Sequence, residues 1–336
     1  MKRFLIACVA LAVFFVAVPP LSAAMTDRPT IGLVTGGSLG DKAFYDIAHE
    51  GLLRVGRELG AWTLLYECQE DPSLYEPTVN RAAEVCDLVF VMGGDFHTLL
   101  PRVARVHEDT EFVHIDHMDK DERVTHVSFR DNEGGFLAGV LAGTMTRRAE
   151  LAGINEENVV GFVGGMDTSV VRNYLAGYED GLLYVNGDAR LLVDLIGSWS
   201  DLKEARELAD RQYDNGADVI LHVAGAAGMG VISAAEERSV WAIGADAAQE
   251  AFAPDAVLTS LVKRCDAVVF RLARDFINGT YKRGAQHSYG IAEGGLTLSL
   301  WTEASRRNIP PDVAETLRDM EKKIRNGRIK VRSFWD

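Results

Sequence analysis

Leu88-Val89-Phe90-Val91-Met92-Gly93-Gly94 is an unbroken apolar run that stops on two glycines. No polar residue alternates with the apolar ones. A strand of this kind is covered on both faces, as in a parallel sheet flanked by helices, and the glycine pair marks the turn that ends it. Val159-Val160-Gly161-Phe162-Val163 before Gly164-Gly165 repeats the signature. Outward from the first run, residues 31–35, 62–66 and 111–115 read as strands, with helices over about 43–59 and 76–85. Outward from the second, strands are expected at 191–196, 219–223, 240–243 and 258–261, and helices at 201–215 and 228–238. Val170, Tyr174, Tyr178 and Leu182 share one face of a further helix. The alternation predicts an α/β protein of two Rossmann-like lobes with parallel sheets.

The length of 336 residues allows about two domains at roughly 150 each. Hydrophobic residues make up 47% and charged residues 25%, which excludes a disordered or collagen-like chain. Gly (32) far exceeds Pro (9), as tight strand-to-helix turns require. A net charge of −14 repels a nucleic-acid backbone, so no nucleic-acid partner is expected. Met1-Lys2-Arg3, an uncharged apolar stretch over 4–18 and the small residues ending at Ala24 read as a signal peptide over 1–24, too short for a membrane span. The mature chain is therefore expected to be periplasmic or otherwise extracytoplasmic. Lipid attachment at Cys8 is disfavoured, because the apolar run before it is only residues 4–7. Cys68, Cys86 and Cys265 have no metal-ligand spacing, and Cys86 and Cys265 read as buried small hydrophobes.

In open α/β sheets, ligands bind beyond the carboxyl ends of the strands. The first strand is followed by Gly36 and Gly37 and then by Asp41, Phe44 and Tyr45; the strand at 111–115 is followed by Asp116. Later strands are followed by Trp199, by Gly225 to Gly230, by Asp246 and by Lys263. Two aromatic rings can sandwich a planar base, at about 1–3 kcal/mol per stacked face. Carboxylates accept from hydroxyls, and Lys donates to an oxygen. The set suits a flat, polar, roughly neutral ligand. Each residue also has an ordinary structural reading: Phe44 and Trp199 as core, Asp41 and Asp201 as helix caps, Asp246 as a turn cap, Lys263 as a solvated side chain. Their joint position after strands is what favours a site.

Other patterns are weaker. Gly225, Gly228 and Gly230 carry dinucleotide-type glycines in reversed order and mid-chain, so they read as a turn letting backbone approach a ligand. His114 and Asp116 share a strand face while His117 points away, which disfavours a metal site. Gly-x-Ser-x-Gly and Cys-x-x-Cys are absent, and no nucleophile with its base is visible. No catalytic residue, metal or cofactor is expected. An enzyme that cleaves its ligand would need several carboxylates on one strand edge, where only Asp246 is seen.

Several stretches carry a family resemblance: Asp41-Lys42-Ala43-Phe44, Phe136-Leu137-Ala138-Gly139-Val140, Val160 to Asp167, Gly216 to Val219, Ala224 to Val231, Ile243 to Gln249 and Thr259 to Arg264. Together they resemble the basic membrane protein family of ABC-transporter substrate-binding proteins, whose characterised members bind purine nucleosides. The resemblance runs from about residue 31 to 331. It implies a type I periplasmic binding protein, with lobes joined by a multi-strand hinge and ligand enclosed between them for delivery to an ABC-transporter permease. It further implies Phe44 and Trp199 as the walls of a base sandwich, Asp246 and Lys263 at ribose hydroxyls, Asp116 as a further polar contact, and main-chain groups from Gly225. Relatives usually carry Asp where this chain has Gly36 and Asn where it has Tyr45, both near the base edge. A free nucleobase or a flavin-like heteroaromatic is an alternative ligand, and a secreted nucleoside-cleaving enzyme or a receptor-docking sensor an alternative role.

The expected lobes are 27–128 with 260–285, and 130–258, with 286–336 as a C-terminal segment crossing back to the second. Phe44 and Asp116 would then come from one lobe, Trp199 and Asp246 from the other, gathered only on closure. A monomer is expected.

Overall fold

The apolar runs become strands buried on both faces: β3 (Leu88–Met92) and β6 (Val159–Gly164) have no exposed residue. The computed structural model describes residues 28–334, so the expected signal peptide and Cys8 lie outside the described residues. The first lobe begins with β1 (Thr30–Thr35), α1 (Phe44–Leu59), β2 (Trp62–Glu67), α2 (Pro72–Ala83), β3, α3 (Leu100–Val106), β4 (Glu111–Ile115) and β5 (Val124–Phe129). The second comprises α4 (Asp131–Met145), β6, α5 (Ser169–Val185), β7 (Arg190–Leu195), α6 (Leu202–Asp214), β8 (Ala217–Val223), α7 (Gly228–Arg238), β9 (Trp241–Asp246) and β10 (Val257–Lys263). Then follow α8 (Cys265–Ile277), β11 (Gln286–Tyr289), β12 (Leu296–Leu298), α9 (Glu303–Asn308) and α10 (Pro311–Arg325).

The two sheets have equivalent strand orders, β11-β5-β4-β3-β1-β2 and β12-β10-β9-β8-β6-β7. All pairings are parallel except β10 with β12. Each order reverses between its first and third strands, β1/β3 and β6/β8, and doubly wound sheets open a ligand crevice at such switch points. One apolar cluster runs through both lobes, while separate outer layers pack beneath α2–α3 and α6–α7.

Two boundaries differ from the sequence reading. The helix expected at 76–85 starts at Pro72, because Asp71 accepts from the backbone N–H of Ser73 and proline at a first helical position sacrifices no hydrogen bond. The second lobe, expected to end at 258, keeps the chain to Lys263, since Val257–Lys263 is one buried strand paired with β9. The segment from 286 divides: β11 pairs with β5 in the first sheet, and β12 with β10 in the second.

The chain passes between lobes at Arg130, at Arg264 and over 290–295. These crossings are tied together. The Arg130 N–H donates to the Tyr289 carbonyl (3.0 Å) and the Arg264 N–H to that of Gly295 (2.8 Å). The Arg130 guanidinium bonds both Glu133 and Glu293.

Helix α4 is buried on nearly every side and lies backbone to backbone on α5. A Cβ on Gly139 would sit 2.1 Å from the Tyr178 carbonyl oxygen, and one on Gly177 2.0 Å from that of Asn132. Only glycine permits this approach.

Candidate ligand-binding site

Beyond the strand ends of both sheets lies one cavity of about 710 Å³, and all eight residues singled out from the sequence line it. Asp41, Phe44 and Tyr45 follow β1, and Asp116 follows β4; Trp199 follows β7, Gly225 β8, Asp246 ends β9 and Lys263 ends β10.

Asp41 fixes the start of α1. Its carboxylate accepts from the backbone N–H groups of Ala43 (3.0 Å), Tyr45 (2.8 Å) and Asp46 (3.1 Å), and so sets Phe44 and Tyr45 in the first turn. Burial raises its carboxyl above the usual range although those bonds work the other way. Tyr45 lies along the glycine pair after β1. A Cβ at Gly37 would come within 2.9 Å of its ring, and one at Gly36 within 3.2 Å of its hydroxyl. Trp199, half-buried, lies on a floor of backbone, where a Cβ at Gly165 would be 2.4 Å from its ring. Gly225, at φ 56°, takes the left-handed turn beside it. Gly228 and Gly230 serve packing instead, against His222 and the Leu202 carbonyl.

At the other end the polar groups interlock. Lys263, 1% exposed, donates to both Asp116 oxygens (2.9 and 3.0 Å) and pairs with Asp131 at 3.0 Å. Its ammonium stands 5.4, 5.0 and 5.2 Å from the ring centres of Phe44, Phe129 and Tyr174. Burial opposes the ammonium, but Asp116 and Asp131 outweigh it and hold Lys263 well above the usual lysine range. Asp246, buried and near Asp116, is pushed up to about 7; Lys263 offsets the burial only in part. Burial likewise raises Asp131.

Besides the ring contacts of Lys263, hydrogen bonds among the described residues bridge the lobes across the cavity: Asp116 with Lys263, the Lys42 carbonyl with Gln249 Nε2 (3.1 Å), and Glu70 with the Ser200 hydroxyl (2.9 Å). The first-lobe residue of each holds a left-handed backbone, at φ 67°, 56° and 59° for Asp116, Lys42 and Glu70. Such conformations are rare without glycine and persist where the surroundings impose them.

The sequence reading missed Glu70, Asp95, His97, Tyr174 and Asp131. Four of the five line the cavity; the fifth, Asp131, pairs with Lys263. Glu70 follows β2, Asp95 and His97 follow β3, and Tyr174 lies on the helix after β6, so the strand-end rule applied to those strands finds them. One orientation is corrected. His117 does not point away from His114, because the left-handed turn at Asp116 brings their rings to 4.7 Å, and His117 reaches the cavity. Burial drives the His114 imidazole down to about 3, keeping it neutral. Among the described residues no group of three or more His, Cys, Asp or Glu is placed to hold a metal ion.

Residues 28–333 match the Bmp family, described as ABC transporter substrate-binding protein, PnrA-like. The chain belongs to this family. As a Bmp protein it is an ABC-transporter substrate-binding protein, and the family is one of binding proteins rather than enzymes. It is 29% identical over 325 residues to the CD4+ T-cell-stimulating antigen of Listeria monocytogenes, covering 90% of this chain and 87% of that one. It is 28% identical over 330 residues to a Lactococcus lactis protein named ABC transporter nucleoside-binding protein BmpA, covering 92% and 90%. A solved ABC-transporter solute-binding protein from Aeropyrum pernix shares the fold of this Bmp chain, with a TM-score of 0.82 at 23% identity over 92% and 94% of the two chains. Among the described residues no helix is long and apolar enough to cross a membrane.

Proposed function

We propose that this Bmp protein captures a purine nucleoside outside the cytoplasm, closes its lobes around it and presents it to an ABC permease. The observation that carries the reading is one cavity with an aromatic wall from each lobe, Phe44 and Trp199, and with Asp116, Asp246 and Lys263 at one end. The walls suit a stacked base. The carboxylates suit the vicinal hydroxyls of a sugar, which donate to acceptors that would otherwise be enclosed unpaired. Among the described lining residues Lys263 is the only basic side chain besides two histidines, and Asp116 and Asp131 already hold it. A phosphate would find no free cation here, so nucleosides are favoured over nucleotides. The nucleoside-binding name of the Lactococcus relative supports the same ligand class.

Calorimetric titration with inosine, hypoxanthine and ribose tests the reading. Inosine should bind far more tightly than either part, and no free hypoxanthine should accumulate. Equal affinity for hypoxanthine would remove the sugar from the proposal, and release of base would make the protein an enzyme.

A further inference from the structure

We infer that Glu70 reads the outer edge of the bound base and selects rings that present an N1–H donor there, so that guanosine and inosine are preferred to adenosine. The inference rests on the nucleoside reading above and deepens it.

Sheet order sets the direction. Asp116 follows β4 and Glu70 follows β2, three strands along the same sheet edge, or roughly 14 Å at ~4.8 Å per strand. In the facing lobe, Lys263 and Asp246 end β10 and β9, whereas Ser200 follows the edge strand β7. A nucleoside with its sugar at the Asp116–Asp246–Lys263 end, stacked between Phe44 and Trp199, therefore turns the far edge of its base toward Glu70 and Ser200. Glu70 is held to this place. Gln69 and Glu70 are consecutive left-handed residues (φ 57° and 59°), pinned because the Glu70 N–H donates to the Gly36 carbonyl at 2.8 Å and that of Cys68 to Thr35 at 3.0 Å. The Glu70 side chain lies over Gly37, where a Cβ would be 3.4 Å from its Cγ.

The Ser200 hydroxyl uses Oε2, and an ionised carboxylate has acceptor sites to spare on both oxygens. It can accept but not donate. Guanine offers an N1–H and an amino group side by side, and hypoxanthine an N1–H. Adenine has an amino donor at N6, but the neighbouring N1 carries a lone pair where guanine and hypoxanthine carry N1–H, and a carboxylate set against N1 is repelled by it.

Titrating guanosine, inosine and adenosine into the wild type, Glu70→Gln and Ser200→Ala tests this. The wild type should prefer guanosine to adenosine by roughly tenfold or more, equivalent to about 1.4 kcal/mol. Glu70→Gln, whose amide can donate to adenine N1, should shrink that ratio at least several-fold. Ser200→Ala, which removes the lobe-to-lobe bond but not the acceptor, should weaken all three alike and leave the ratio unchanged. The inference is overturned by a wild type that binds adenosine as well as guanosine, by a ratio unmoved in Glu70→Gln, or by the same ratio shift in Ser200→Ala. If folded wild type binds none of the three, the nucleoside reading itself fails.

Discussion

Trp199 and Asp246 line the same cavity with different groups, a ring face and a carboxylate, and answer to different measurements. Trp199 rests on Gly165 and Gly225 but remains half-buried, so truncation removes a stacking face and little core. Trp199→Ala should cost about 1–3 kcal/mol of nucleoside affinity in calorimetry while the melting temperature barely moves; the reverse pattern would make it a core residue. Asp246 carries a pH signature. Its carboxyl titrates near about 7 in the folded protein, against roughly 4 for an ordinary aspartate. The ionised form accepts from two hydroxyls in charge-assisted bonds, whereas the protonated carboxyl keeps only weaker acceptor capacity. Nucleoside affinity should therefore fall as pH drops through about 7, by up to about tenfold per unit, and level off above it. Between about 4 and 7 the fold holds a proton that the unfolded chain has lost, so the ligand-free protein should lose stability as pH rises through that window. Asp246→Asn should flatten the affinity profile and make the stability profile shallower, the remaining slope belonging to Asp131 and Asp41, whose carboxyls burial also raises; titrations and melting curves from about pH 5 to 8 would show both. Phe44, Trp199, Asp116, Asp246 and Lys263 were legible from their position after apolar strands. The cage around Lys263 was not: Asp131 and Tyr174 come from helices, and their approach depends on how those helices pack.

That packing belongs to the element scale. Helices α4 and α5 meet through Gly135 and Gly139 on one and Gly177 and Gly181 on the other, each facing a backbone carbonyl oxygen. Gly139→Ala must displace a helix, because a carbonyl, unlike a side-chain tip, cannot swing aside. It should cost about 1–3 kcal/mol in denaturant unfolding. Gly187→Ala, with open space around its Cβ, should stay within about 0.5 kcal/mol of the parent. Because Asp131 opens α4 and Tyr174 lies on α5, Gly139→Ala should weaken nucleoside binding as well. Strands covered on both faces were readable as apolar runs, and α1 as an amphipathic helix. Helix α4 was not, because thirteen of its fifteen residues are buried and no periodicity survives. Nor was β12, whose three residues are too few to carry a pattern.

For the whole molecule, the bonds from Asp116, Lys42 and Glu70 join one lobe to the other across the cavity. If closure accompanies capture, adding nucleoside should reduce the radius of gyration in small-angle scattering. An unchanged curve at saturating ligand would mean that the lobes stay fixed. The three crossings and their Arg130–Glu133–Glu293 tie are where such a movement would be absorbed.

The late strands β11 and β12 bear on how the protein comes into being. Each completes the edge of a sheet whose other five strands have already been synthesised, and neither arrives before residue 286. A nascent chain that stalls earlier would leave β5 and β10 as two raw edges, the kind that recruit other chains. Truncation just short of β11 should thus injure both halves of the molecule at once, although it removes only the last seventh or so of the polypeptide.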